Sequence, residues 1–242
     1  MAFPEPGLPP DSRLYAIGDI HGCLPLLKDL LQKIDDECRA ANVTARKIFL
    51  GDYIDRGLYS RQTIDFLLDY AVREPVAPVF LLGNHEQVMR AILDEEDTEA
   101  LTDWLRFGGR ETMQSYGVPP SAFAKDLPEL IAELAAKVPT AHRDFLRNLR
   151  LSESAGDYFF CHAGVRPGVT LDAQAEADLV WIRQAFLGHK DWFGKMVVHG
   201  HTIGRDVDFH PNRIGIDTGA YATGRLTALA LEGNKRWLIQ TA

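Results

Sequence analysis

The heptapeptide Gly51-Asp52-Tyr53-Ile54-Asp55-Arg56-Gly57 follows directly on the apolar run Ile48-Phe49-Leu50. Two carboxylates and a guanidinium therefore stand in one glycine-bounded turn at the end of an expected strand. A carboxylate at the end of a buried strand is poorly solvated unless it is paired or binds a metal. A fold that tolerates this turn must bring further polar groups to the same place.

Two more expected strands end in the same way. Residues 13–18 run into Asp19-Ile20-His21-Gly22. In extended backbone, residues i and i+2 project to one side, so Asp19 and His21 aim at a common point. Residues 79–82 run into Gly83-Asn84-His85-Glu86. Between these strands, 24–41 and 60–72 carry apolar residues at helical spacing, with Pro25 in the first turn of one helix and Ser60 as N-cap of the other. Ile64, Phe66, Leu67 and Leu68 read as core. Strands alternating with helices predict an α/β sheet with its ligand cleft outside the carboxyl ends of the strands.

From about residue 94 to 150 the chain is acidic and helix-favouring, which predicts a helical insertion, either a scaffold for the core or a cap over the cleft. Arg106 and Arg110 are its best candidates for an anion contact, although solvated arginine is the commoner case. Strands then return at 157–161 before His162-Ala163-Gly164, at 179–183, at 196–200 before His201-Thr202, and at 213–216 before Asp217-Thr218-Gly219. A terminal hairpin, 226–231 and 236–240, turns about Glu232-Gly233-Asn234. The proline- and glycine-rich start reads as an irregular surface leader over 1–12, ahead of a single domain over 13–242.

A formal net charge of -8 argues against a nucleic-acid surface, which normally carries a basic patch. No apolar run approaches the roughly 20 residues of a membrane span, and the N-terminus lacks the basic and apolar regions of a signal peptide. Cys23, Cys38 and Cys161 are an odd number without zinc-type spacing, which fits a reducing, cytoplasmic setting. A monomer is expected.

Asp19, His21, Asp52, Asn84, His162 and His201 each follow an expected strand beside glycine or another small residue. Oxygen and imidazole ligands in that number suffice for two metals, and suit Mn, Fe or Zn better than Ca. The five motifs, in this order and context, resemble the calcineurin-like metallophosphoesterases, and within them the PPP-type serine/threonine protein phosphatases of small bacterial and phage type. The resemblance implies two facing mixed β-sheets flanked by helices. It implies two divalent ions, manganese foremost, with Asp19 and His21 on the first, Asn84, His162 and His201 on the second, and Asp52 bridging. It also implies that Asp55 orients His85, and that Arg56, Asn84 and Arg183 hold phosphate oxygens. A metal-bound hydroxide would attack in line, with His85 as general acid, on a phosphorylated protein or a small phosphoester.

His199 reads as a packed neighbour of the ligands, and His142, His189 and His210 as surface residues. Cys23 and Cys161 read as buried, inert thiols, and Tyr221 and Arg225 as lying outside the cleft. Leu82 stands where most eukaryotic phosphatases of this type carry arginine. The bacterial dinucleoside polyphosphate (Ap4A-type) hydrolases also resemble this chain and tend to have an aliphatic residue there. Their symmetrical members usually lack the aspartate at Asp55 and favour Asp at the place of Glu86. Those two positions favour a phosphoprotein phosphatase over a dinucleotide hydrolase. Intact Asp55 and His85 argue against a third reading, a catalytically silent metal-binding module.

Overall fold

A computed structural model of the chain describes residues 5–10 and 12–241. Alternation along β1 (Arg13–Ile17) sets the architecture: Tyr15 and Ile17 turn to one apolar core, Leu14 and Ala16 to another. β2 (Arg46–Phe49) pairs parallel to β1, and β3 (Val79–Phe80) parallel to β2. The C-terminal hairpin of β9 (Thr227–Glu232) and β10 (Lys235–Gln240) joins the other side of β1 antiparallel, giving the order β10-β9-β1-β2-β3. A second five-stranded sheet runs β4 (Ser152–Ala155), β5 (Tyr158–Cys161), β6 (Met196–His199), β8 (Arg213–Gly215), β7 (Asp208–Phe209). Its three central strands are parallel and its two edges antiparallel.

The sheets face each other. Leu14, Ile48, Leu81 and Leu229 of the first pack on Tyr158, Phe160, Val198 and Ile214 of the second. Side chains of this size stabilise the fold by roughly 1.5–3 kcal/mol each when fully buried. The expected pair of mixed sheets flanked by helices is the observed fold.

On the outer face of the first sheet lie α1 (Leu24–Ala41), which buries Leu27, Leu30, Leu31 and Ile34, and α2 (Ser60–Arg73). α3 (Asn84–Glu95) leads into the acidic segment, which forms α4 (Thr98–Trp104), α5 (Gly109–Ser115), α6 (Leu127–Ala135) and α7 (Thr140–Arg147), and the apolar faces of these helices join the same core. The segment is tied at its base, where the Leu82 N–H donates to the Arg150 carbonyl at 2.7 Å. The outer face of the second sheet is covered by α8 (Glu176–Trp181) and α9 (Gln184–Leu187), with Leu179 and Phe186 against Phe159, Cys161 and Val197.

Several expectations need correction. Residues 179–183 are not a strand: α8 runs to Trp181 and Arg183 follows its end, because Leu179 and Val180 are buried in two different apolar clusters that a short helix serves at once. Ser60 is the first helical residue rather than the N-cap, and its Oγ accepts from the Asp55 N–H. Phe66 and Leu68 are only half-buried, beside the buried Ile64 and Leu67. His142 is not a surface residue: it is buried between the Tyr116 hydroxyl, 2.8 Å from Nδ1, and the Asp65 carboxylate, 2.9 Å from Nε2. β4 and β7 were not foreseen, since Ser-Glu-Ser-Ala and Asp-Phe lack an apolar alternation.

Of the expected leader, Met1 to Pro4 and Asp11 lie outside the described residues. The rest is irregular but anchored, with Leu8 buried and its N–H donating to the Gly233 carbonyl at 2.8 Å. Among the described residues no helix is long and apolar enough to cross a membrane.

Candidate metal centre

β1, β2, β5, β6 and β8 deliver their following loops to one edge of the facing sheets, where the N-terminus of α3 meets them. The local backbone is unusual. His21, Asp52, Asp55, Arg56 and His201 all have positive φ, between 46° and 73°. Such conformations cost non-glycine residues of order 1–3 kcal/mol and persist only where the surroundings over-determine them. At Asp52 the determinant is Glu86. Its Oε2 accepts from the N–H groups of Asp52 (2.8 Å) and Gly83 (3.2 Å), and its Oε1 from those of Tyr53 (2.8 Å) and Ile54 (3.2 Å). Gly83 is required where it stands, because a Cβ there would fall 2.2 Å from Asp52 Oδ1.

The histidine tautomers show why this edge calls for cations. His162 Nδ1 lies 2.9 Å from the Leu50 carbonyl, which can only accept, so Nδ1 carries the hydrogen. Burial holds the His162 pKa down, so its Nε2 is a bare lone pair. That lone pair faces Asn84 Oδ1 at 3.0 Å and Asp52 Oδ1 at 3.4 Å, an arrangement of acceptors alone. His21 repeats it: Nδ1 donates to the Ile54 carbonyl at 2.9 Å, and Nε2 faces Asp52 Oδ2 at 3.5 Å. Burial lowers His21 to about 3, so this ring too is neutral. Asp19 is buried, its Oδ1 without a hydrogen-bond partner among the described residues, while its Oδ2 accepts from the His201 N–H at 2.9 Å. Burial and the neighbouring carboxylates Asp217 and Asp52 push its pKa up. His201 Nε2 is likewise buried and unpartnered, and its Nδ1 lies 2.9 Å from Asn84 Oδ1.

Converging lone pairs and crowded carboxylates fit divalent cations. Asp52 belongs to two clusters of possible ligands, His21-Asp52-His85 and Asp52-His162-His201, whose ligand atoms lie within 4.8 Å of one another. One carboxylate shared by two clusters is the geometry of a bridging ligand. These residues could hold two ions with Asp19 and Asn84 completing the set, and the donor types leave Mn, Fe and Zn equally suitable.

Beside this cluster stands a buried imidazole–carboxylate pair. His85 Nδ1 lies 2.5 Å from Asp55 Oδ2, and Asp55 is fully buried. Asp55 also accepts from Trp104 Nε1 (2.6 Å) and Thr112 Oγ1 (2.6 Å), so helices α4 and α5 lock its carboxylate. Burial opposes charge on His85, but Asp52 and the hydrogen bond that His85 donates to Asp55 raise its pKa to about 9. Its Nε2 faces outward, 3.4 Å from Arg56 Nη2. The Arg56 guanidinium lies over the ring of Tyr221, 4.6 Å from its centroid, so Tyr221 is at the cleft, contrary to expectation.

Arg56, Asn84, His85 and Arg183 together line a cavity of about 480 Å³ that opens beside the cluster. Its other walls are Val88, Ala100, Asp103, Trp104, Phe107 and Trp181. Phe107 and Trp181 are 60% and 45% exposed, large aromatic faces left open at the mouth. The insertion is thus both scaffold and wall. Its two singled-out arginines stay out of the cavity: Arg106 pairs with Asp103, and Arg110 stacks on Phe123.

His199 is buried against Phe186 and is in neither ligand cluster. Arg225 turns away towards the Arg205 carbonyl and Asp206. Burial pushes the Cys161 thiol up, and the half-buried Cys23 up to about 11, so both stay protonated. Trp104, Thr112, Asp217 and Tyr221 were not singled out as site residues. Trp104 and Thr112 stand in a helical segment whose spacing marks only an apolar face, and no local signal ties them to Asp55.

Comparison with known proteins agrees with this geometry. Over 88–90% of its length the chain is 28% identical to the symmetrical bis(5'-nucleosyl)-tetraphosphatase of Dechloromonas aromatica (strain RCB) and to the asymmetrical bis(5'-nucleosyl)-tetraphosphatase PrpE of Bacillus cereus (strain AH820), covering 92% and 88% of those proteins. A solved structure named for diadenosine tetraphosphatase activity shares the fold with a TM-score of 0.64 at 21% identity, over 96% of this chain and 95% of that one. The family model for calcineurin-like phosphoesterases matches residues 12–216, from the first strand through the last central strand of the second sheet. The chain belongs to the calcineurin-like phosphoesterases, metal-dependent hydrolases of phosphoesters.

Proposed function

We propose that this protein hydrolyses dinucleoside polyphosphates. The observation that carries the reading is the aromatic wall of the cavity: Trp181 and Phe107 present exposed ring faces beside the phosphate-binding candidates Arg56, Asn84 and Arg183. Aromatic rings next to an anion site suit a nucleobase joined to a phosphate chain, because stacking accepts any base. The two curated relatives, both tetraphosphatases, support the same substrate class.

The expectation of a phosphoprotein phosphatase rested on Asp55 and Glu86. Neither lines the cavity: Asp55 is spent on His85, Trp104 and Thr112, and Glu86 on four backbone N–H groups. Residues that never meet the substrate cannot report its class.

In this reading Asp19, His21, Asp52, Asn84, His162 and His201 hold two divalent cations. When bound, these polarise the phosphoryl oxygens and lower the pKa of the attacking water. Arg56 and Arg183 bind the phosphoryl oxygens and neutralise charge that builds on them. As the water oxygen joins phosphorus, the bond to the leaving nucleotide breaks, and His85 Nε2 passes its proton to the departing oxygen.

A turnover assay with manganese tests the reading on diadenosine tetraphosphate, a phosphoserine peptide and a phosphotyrosine peptide. The dinucleotide is expected to have kcat/KM at least about tenfold above either peptide. A higher value on a phosphopeptide overturns the proposal. No turnover of any substrate, with manganese, iron or zinc, would return the silent metal-binding module.

A further inference from the structure

A second groove, of about 260 Å³, adjoins the catalytic cavity and shares its walls Val88 and Ala100. It runs along α3 past Gln87, Arg90, Ala91 and Glu95 and is bounded by Glu176 of α8. His85 stands in the first turn of α3. At about 1.5 Å of rise per residue, the groove extends from the proton donor to roughly 15 Å along the helix axis. A leaving group whose oxygen takes the proton of His85 departs on this side.

The wall between cavity and groove is built from linked polar groups. Trp181 Nε1 donates to Gln87 Oε1 (2.6 Å), Gln87 Nε2 donates to Glu176 Oε1 (2.7 Å), and Arg90 Nη2 donates to the same oxygen (3.0 Å). The chain of bonds fixes the Trp181 indole at the mouth, where its face is half-exposed. Among the described residues, no side-chain donor within hydrogen-bond distance is directed at Glu176 Oε2. Arg90 pairs with Glu176, so among the lining residues the charge left over is that of Glu95 at the far end, which disfavours phosphate there and suits a neutral group bearing N–H donors.

Resting on the dinucleotide reading, we infer that the α3 groove is the subsite for the base of the departing nucleotide, and that it selects bases with an exocyclic amine. The base stacks on Trp181 while its amino group donates to Glu176. Uracil, with a carbonyl in place of the amine, sets acceptor against acceptor there.

Two variants test this, read as ratios of kcat/KM with manganese. Ala91→Trp fills the groove without touching the catalytic cavity. Its ratio of diadenosine tetraphosphate to p-nitrophenyl phosphate turnover is expected to fall about tenfold or more. Wild type is expected to favour diadenosine over diuridine tetraphosphate by about tenfold, and Glu176→Ala to bring that preference close to parity. If wild type hydrolyses the dinucleotides but both variants keep wild-type ratios within about twofold, the groove inference falls alone. If wild type hydrolyses p-nitrophenyl phosphate but no dinucleotide, the substrate reading itself fails and takes the groove with it.

Discussion

The ring of Tyr221 lies against the guanidinium of Arg56, 4.6 Å from centroid to Cζ, and meets His21 edge-on at 5.3 Å. Among the described residues Arg56 has no carboxylate within 4.0 Å. An aromatic face therefore holds it in place without competing for its donors, and the fork stays available to phosphate. Tyr221 is a positioning residue in this account. Tyr221→Ala is expected to raise KM and weaken inhibition by inorganic phosphate about 2- to 30-fold, from the loss of about 0.5–2 kcal/mol. Tyr221→Phe should restore both, with bound metal equal in all three proteins. Equal phosphate inhibition in wild type and Tyr221→Ala would remove the role.

The pair His85–Asp55 makes a prediction about leaving groups and pH. With His85 raised to about 9, the imidazole is protonated at neutral pH and loses its proton as pH climbs past that value. Activity on an alkyl phosphate, whose leaving oxygen needs a proton, should fall on that alkaline limb. His85→Asn should lower kcat on the alkyl ester by about 10²–10⁴-fold, and on p-nitrophenyl phosphate by much less. Asp55→Asn removes one of the charges that raise His85, so its alkaline limb should move to lower pH by about one unit. A limb that stays in place, or an equal loss on both esters, would assign the proton to another group.

Glu86 does not line the cavity yet holds three N–H groups of the turn that carries Asp52, and that of Gly83. In Glu86→Gln an amide NH₂ replaces one carboxylate oxygen, so donors face donors on one side of the turn. Support of this kind behind a ligand is typically worth roughly 10–100-fold in metal affinity. Calorimetric titration of the apo variant with manganese should show a loss in that range, while an unchanged affinity would mean that the backbone holds the turn unaided.

These residues also explain what could and could not be read from the sequence. The strand-end motifs that carry Asp19, Asp52, Asn84, His162 and His201 were legible because each is local: an apolar run, a glycine, then a ligand-type residue. The facing sheets follow from alternation such as Leu14-Tyr15-Ala16-Ile17. Trp104, Thr112 and Tyr221 were hidden because their partners lie 49, 57 and 165 residues away in the chain, and only tertiary packing joins them. Substrate class is hard to read from the sequence for a related reason. Glu86 and Asp55 are prominent in sequence, yet they act on the protein's own backbone and on His85, whereas the cavity wall includes the last tryptophan of α8 and a phenylalanine in the turn between α4 and α5.

His142 gives a prediction about stability rather than catalysis. It is buried away from the metal centre, with Nε2–H donating to Asp65 and Nδ1 accepting from the Tyr116 hydroxyl, so the neutral ring is fully satisfied. Burial depresses its pKa below the ordinary value of 6.5, and the bond to Asp65 only partly offsets this. In the unfolded chain the ring takes up a proton as pH falls through 6.5, while the folded ring resists. The unfolded state then binds more protons, and stability declines with acid. His142's contribution is thus complete above 6.5 and is lost as pH falls from there towards the depressed folded value. Urea unfolding at pH 7.5 and 5.5 should show His142→Gln less stable than wild type at both, because a buried pair of hydrogen bonds is disturbed, with the gap narrower at pH 5.5. A gap that widens in acid would mean that the folded ring is protonated against Asp65, and that the ion pair outweighs burial.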